Sequence, residues 1–343
     1  MRKSYLLVAA ALLVAASCQK NDNASSVEGI KYNPVDVVLS AAIEGVDTKV
    51  SYTEDANVLK AAWKAGDKIS LVAIDASQNI LSNDVFETTT AGASAKFSGT
   101  YSNPKGAVMV SVFYPALTEG KGTETEPWHS KKREGTGLSD ESNTPLLHSV
   151  VKGKTNISVY TIYQLQRGNG DLSNVDEAVV MYGKITDFPA LVANDVNVTL
   201  KSICYVVKVT AKVPSGYDHL TRIELNTTNG TSTPMGLSGW TRLNDEFGIR
   251  YGNRSFAYAV GLGATFRSAG SSAGTGVSPD GSGNIVAYII GYTGAPCVLP
   301  SGTVLAIEAG YDSSSYKFNA TKTLATDISL EPGKMYRVNV TLN

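Results

Sequence analysis

Histidine and cysteine are scarce, at three of each in 343 residues. His129, His148 and His219 lie far apart, and none stands at metal-ligand spacing from a carboxylate or thiol. A metal centre or histidine-driven acid–base chemistry has little to draw on. Three cysteines cannot staple a chain of this length, which excludes a disulfide-dense mini-protein. An excess of one charge is missing too, because 30 Lys and Arg face 31 Asp and Glu for a net charge of -1. That balance leaves no basic footprint for nucleic acid. No apolar run reaches the ~18 residues of a membrane span. Disorder is also excluded, with 43% of residues hydrophobic and only 18% charged.

Catalytic motifs fail on their surroundings. Gly270-Ser271-Ser272-Ala273-Gly274 has the letters of a nucleophile elbow, but Thr275-Gly276-Val277-Ser278-Pro279 follows where a helix is needed. The Gly-rich stretches lack the Gly-Lys-Ser/Thr of a phosphate cradle. A glycosidase carboxylate pair is defined in space, and no pair stands out. The chain reads as non-enzymatic, with no cofactor and no metal.

What is present begins with an address. Arg2 and Lys3 precede a short apolar run, Leu6 to Ala16, that reads as a secretory signal over residues 1–17. Ala15-Ala16-Ser17 then leads straight into Cys18. This junction resembles the lipobox of bacterial lipoproteins, whose cysteine is acylated with palmitate-type chains and becomes the new N-terminus. Ala15 stands where that motif usually has Leu, and the plain alternative is an ordinary signal peptide with an incidental cysteine. Multiple acyl chains would supply a membrane hold that one cannot. Residues 18–33 are small and polar without periodicity, which suits a tether.

Beyond the tether the hydrophobic period is two almost everywhere. Val35, Val37, Leu39, Ala41 and Ile43 share one face of a nine-residue strand. Further strands are expected at Ile69–Ile74, Ala107–Tyr114, Asn156–Gln166, Ala178–Ile185, Val196–Leu200 and Ile203–Val213. The remainder are Arg222–Asn226, Ser255–Val260, Asn284–Tyr292, Val304–Tyr311 and Tyr336–Leu342. Turn formers such as Asn103-Pro104-Lys105-Gly106 and Pro279-Asp280-Gly281 separate them. An all-β chain of β-sandwich type follows. Cys204 and Cys297 either pair or stay as thiols, with Cys204 in a strand. Leu117–Pro145 and Gly261–Gly283 break the pattern as long polar and Gly/Ser-rich stretches. They read as surface loops, or, for the first, as a binding loop with Trp128 and His129 at its centre.

Three elements together carry a family resemblance. The lipobox-like Cys18 and its tether lead into a strand that ends in Thr48-Lys49-Val50. Trp63-Lys64-Ala65-Gly66-Asp67-Lys68-Ile69 looks like the W-x-x-G-D-x-I element of fimbrillin-like chains. Glu331-Pro332-Gly333-Lys334-Met335-Tyr336 looks like their closing G-K-x-Y strand. The chain thus resembles the fimbrillins, lipoprotein subunits of Bacteroidetes type V pili. The resemblance implies two tandem transthyretin-like (Greek-key) β-sandwich domains, here residues 34–192 and 193–343. It implies outer-membrane and cell-surface localisation, other pilus subunits as partners through β-strand addition, and a host or bacterial surface receptor.

It also implies a maturation cut after the first strand. Lys49 stands where the family has arginine, and the strand lost would be Val35–Ile43. A donor strand from the next subunit would then fill the groove. No donor extension follows Leu342, so a tip or accessory subunit is expected. The alternative is a stand-alone surface glycan-binding lipoprotein using Trp128, Trp240 and the Tyr-rich loops as platforms.

Overall fold

The computed structural model describes residues 32–43, 53–55, 58–119, 147–150, 156–160, 164–172, 175, 179–227, 238–242, 249–251, 258–262, 276–292, 297–311 and 316–343. The described part is almost entirely β. The first sheet closes on itself. Its order is β1 (Val35–Ile43), β13 (Asn197–Ser202), β12 (Met181–Ile185), β7 (Ala107–Tyr114), β4 (Lys68–Asp75), β5 (Ile80–Thr88) and β6 (Ser94–Tyr101), which pairs back onto β1. Every ladder in this barrel is antiparallel except the one that joins β1 to β13.

A second sheet holds β17 (Ile249–Tyr251), β16 (Ser238–Arg242), β10 (Asn156–Tyr160), β9 (Leu147–Val150) and β8 (Thr118–Glu119). A third holds β11 (Gln164–Gln166), β18 (Tyr258–Leu262), β15 (Arg222–Thr227), β21 (Val304–Gly310) and β22 (Tyr316–Thr323). The fourth is β19 (Asn284–Tyr292), β14 (Cys204–Lys212) and β24 (Met335–Thr341). Two short ribbons complete the set, β2 (Thr53–Asp55) with β3 (Val58–Lys60) and β20 (Cys297–Leu299) with β23 (Ile328–Leu330). One short helix, α1 (Phe188–Val192), precedes β13. Asp187 caps it by accepting from the Ala190 N–H at 2.9 Å.

Several expected strands have the bounds read from the sequence, β1, β7 and β19 among them. The run expected over Asn156–Gln166 is instead two strands, β10 and β11, in different sheets. The second and third sheets draw strands from both sides of residue 193, so the sheets do not divide there.

Buried side chains form two clusters. The first fills the barrel with Val37, Leu39, Ile69, Leu71, Phe86, Phe97 and Val112, among others. The second lies between the third and fourth sheets, around Val209, Ile223, Ile285, Ile307 and Phe318. The fourth sheet serves both. Cys204 and Val206 of β14, with Tyr288 and Ile290 of β19, belong to the first cluster. Tyr205, Val207, Ala287 and Ile289 belong to the second. Neighbours in a strand point to opposite faces, so these apolar runs bury both faces at once.

Candidate functional site

The sequence singles out β1, and the barrel is built around it. β1 is bonded on both sides. Val35 to Ala42 pair antiparallel with Tyr101 to Ser94 of β6, and Ser40 to Ile43 pair parallel with Asn197 to Leu200 of β13. Val37, Leu39, Ala41 and Ile43 are buried in the barrel core, while Val35 is half-buried at its end. On the outer face, Thr100 Oγ1 donates to Asp36 Oδ1 at 2.8 Å.

Trp63 fixes the middle of the strand. Its indole N–H donates to the Ala41 carbonyl at 2.9 Å, and the ring meets Phe97 and Tyr114 edge-on at 4.9 and 5.2 Å. The residues after it explain their spacing. Gly66 takes a left-handed φ of 90°, which a side chain resists, and the Asp67 carboxylate closes the turn on the Lys64 N–H at 2.6 Å. Gly66 N–H and Asp67 O then bond Thr88, which sets β4 beside β5, and Ile69 enters the core. The closing motif has a similar logic. Gly333 takes a φ of 77°, its N–H donates to Cys204 O, and Tyr336 Oη accepts from Glu331 N–H and donates to Ser329 O.

The β13 side of β1 is incomplete. Ladder pairing there covers four residues, whereas β24 pairs with β14 over seven, Val206 to Lys212. Ahead of β13 the chain is occupied by α1 and a turn at Asn194, whose φ is 61°. The Asn194 side chain stands in for a strand by accepting the Val38 N–H at 2.5 Å. The sequence pattern marked Ala41 and Trp63 separately but neither the bond between them nor Asn194. The one visible signal was a Trp placed just before a Gly-Asp turn.

Other expected site residues lie elsewhere. Cys18, Lys49, Trp128 and His129 fall outside the described residues. Cys204 is buried and carries no disulfide. Burial pushes its thiol up to about 12, despite hydrogen bonds with Val180 and Ser202. Among the described residues no group of three or more His, Cys, Asp or Glu could hold a metal ion.

A surface cluster escaped the sequence reading altogether. Tyr217 meets Tyr311 at 5.1 Å and Phe318 at 4.7 Å, and His219 stacks on Tyr311 at 4.3 Å. Lys317 Nζ lies over both tyrosine rings, at 4.6 and 5.3 Å. Asp218 accepts from Tyr311 Oη and contacts His219 Nδ1 at 2.8 Å, and the His219 bond holds its carboxyl below the ordinary range. These residues come from three separate stretches, so no local motif announces them.

No protein-family model matches the chain, and no curated protein matches it. Solved structures do. A candidate cell adhesion protein of Bacteroides ovatus is 12% identical, with 91% of this chain and 93% of that one covered and a TM-score of 0.41. The fimbrial anchor protein of Porphyromonas gingivalis is 11% identical, covers 84% and 83%, and has a TM-score of 0.33. A fimbrial assembly protein of Parabacteroides distasonis is 10% identical, covers 89% and 90%, and has a TM-score of 0.34. These three solved structures are adhesion or fimbrial proteins.

Proposed function

We propose that the chain is a structural, adhesive subunit of a surface pilus, assembled when β1 gives way to a strand from another subunit. One observation carries the reading. β1 is a core strand lying near the start of the folded body, yet it is bonded to β13 over only four residues, and Asn194 completes that edge with a side chain. Its loss would bare two strand edges, β6 and β13, and an apolar trough lined by the partners of Val37, Leu39, Ala41 and Ile43. Such a slot is completed by another strand through backbone bonds and alternating side chains.

In this reading Lys49 is the cut site, and acylated Cys18 holds the precursor at the outer membrane. The chain comprises two tandem lobes of the expected transthyretin-like kind, each opening with a strand that runs parallel to the strand that closes it. Those pairs are β1 with β13 and β14 with β24. In this reading the lobe boundary is drawn at Ile203 rather than near Ala193, because β13 is hydrogen-bonded into the barrel, and β10 and β11 reach across it to pair with β16 and β18. β24 is engaged within its own sheet along its whole length, which favours a tip or accessory position over that of a strand donor. Trp128 and His129 belong to a receptor-binding segment.

The test is intact-mass and N-terminal analysis of the protein taken from the cell surface. A mature chain starting at Val50 is expected. A chain that starts at acylated Cys18 and keeps Val35–Ile43 overturns the reading. That second outcome would favour the glycan-binding alternative, for which the Tyr217–Tyr311–Phe318 cluster is the platform to examine. Against it stands Lys317, which already covers the two tyrosine faces.

A further inference from the structure

The two parallel pairs match more closely than their topology requires. β13 and its lead-in read Val196-Asn197-Val198-Thr199-Leu200, and the end of the chain reads Val338-Asn339-Val340-Thr341-Leu342, the same five residues. The registers agree as well. Ser40, Ala41 and Ala42 face Asn197, Val198 and Thr199, and Thr210, Ala211 and Lys212 face Asn339, Val340 and Thr341. Aligned by this edge, Val37, Leu39, Ala41 and Ile43 of the first strand correspond to Val207, Val209, Ala211 and Val213. One edge sequence is therefore seen with two different strands against it. Both run parallel to it, and both place an alanine opposite its central valine.

The barrel gives a physical reason for that alanine. Ala41 faces Ala95 across the β6 ladder, and both are fully or almost fully buried. The Trp63 ring is tied to this level by its bond to the Ala41 carbonyl and held by Phe97 and Tyr114. A longer side chain at position 41 would enter a filled core at the level of that indole, and overpacking a filled core is costly. Larger side chains are accepted two residues to either side, at Leu39 and Ile43.

We propose that the slot of β1 selects its occupant by size and direction. The occupant is a strand of a second protein molecule that runs parallel to β13, with aliphatic side chains at the first, second and fourth inward positions and alanine at the third. The Asn194 side chain sets the register by taking the N–H between the first two inward positions, as it takes that of Val38. This rests on the reading above that β1 can be replaced.

The experiment uses the full chain with a protease site substituted for residues 46–49, cut and then offered fluorescent synthetic peptides. One peptide spans residues 33–43, a second spans residues 205–213, and a third is the second with Ala211→Leu. The first two should enter the cut barrel, the third at least tenfold more weakly. In a Trp63→Ala chain the gap between the second and third should shrink at least threefold. Equal entry of the second and third peptides overturns the proposal, as does a gap that ignores Trp63. If the residue 33–43 peptide also fails to enter, the exchange reading falls and takes this partner with it. The size rule is then decided in the uncut chain. Ala41→Leu should lower Tm by about 2–4 °C and Ala42→Leu by less than half of that. Equal shifts overturn the rule.

Discussion

Trp63 shows how much one side chain can decide. Its backbone bridges to Gly92, while its ring fills the barrel and satisfies a carbonyl of the strand on which the proposed function depends. Trp63→Phe keeps a ring but leaves the Ala41 carbonyl without that donor and a gap beside it. Urea denaturation should show a loss of about 1–3 kcal/mol. Hydrogen exchange of the β1 amides should rise more than that of the β4 amides, and equal rises would mean that the ring supports the barrel generally. Buried weak acids make a second residue-level prediction. Burial pushes the Cys204 thiol from 9.0 up to about 12. Burial, aided by Asp84, raises Tyr101, and burial raises Tyr182. The folded state keeps these protons to higher pH than the unfolded chain does. Their stabilisation is therefore complete below pH 9 and declines as pH climbs from there. Each group contributes a slope of about 1.4 kcal/mol per pH unit where only the unfolded form ionises. Denaturation midpoints measured at pH 8, 9 and 10.5 should hold between the first two and drop at the third. A flat profile would show that these groups are not protected.

At the scale of the element, legibility followed the side chains rather than the backbone. β1, β7 and β19 could be bounded from the sequence because aliphatic residues recur at every inward position or run on both faces. β5 and β6 could not. β5 turns Ser82 and Thr88 inward, where Ser82 bonds Asp84 and Thr88 bonds Thr90, so its alternation reads as polar. β6 turns Ala95, Phe97, Gly99 and Tyr101 toward the core or the β5 side, and two of those four are too small to register as hydrophobic. Gly99 is small for a reason. A Cβ there would meet Phe86 Cγ and the Val85 carbonyl at 2.9 Å, directly across the ladder from Val37. Gly99→Ala should cost about 1–3 kcal/mol by urea denaturation. A neutral result would mean that Phe86 has room to turn. The incomplete β13 edge was illegible for a different reason, since a side-chain amide replaces a backbone group there and leaves no periodic trace.

At the scale of the whole molecule, the fourth sheet serves two cores at once. Its apolar runs, Cys204–Val207 and Ala287–Ile290, send alternate residues into two different cores, which continuous hydrophobicity in the sequence does not reveal. Residues that precede β12 also brace the outer edge of β19. Gln166 accepts from Tyr288 N–H at 2.9 Å and donates to Val286 O at 2.7 Å, while Asn169 accepts from Val286 N–H at 2.7 Å. Two side-chain amides so close an edge that would otherwise invite another strand. A sheet shared in this way should make Asn33–Asn343, a single compact unit, unfold as one. Adjacent residues of β19 supply the test. Ile290→Ala hollows the first cluster and Ile289→Ala the second, and each should cost about 2–5 kcal/mol. Calorimetry of the parent chain should show one transition, and both variants should move the whole of it downward by similar amounts. If the lobes are independent, two transitions appear and each variant moves only its own. A removable first strand would then cost only the barrel its stability. With a shared sheet, an occupied slot should stabilise the entire subunit.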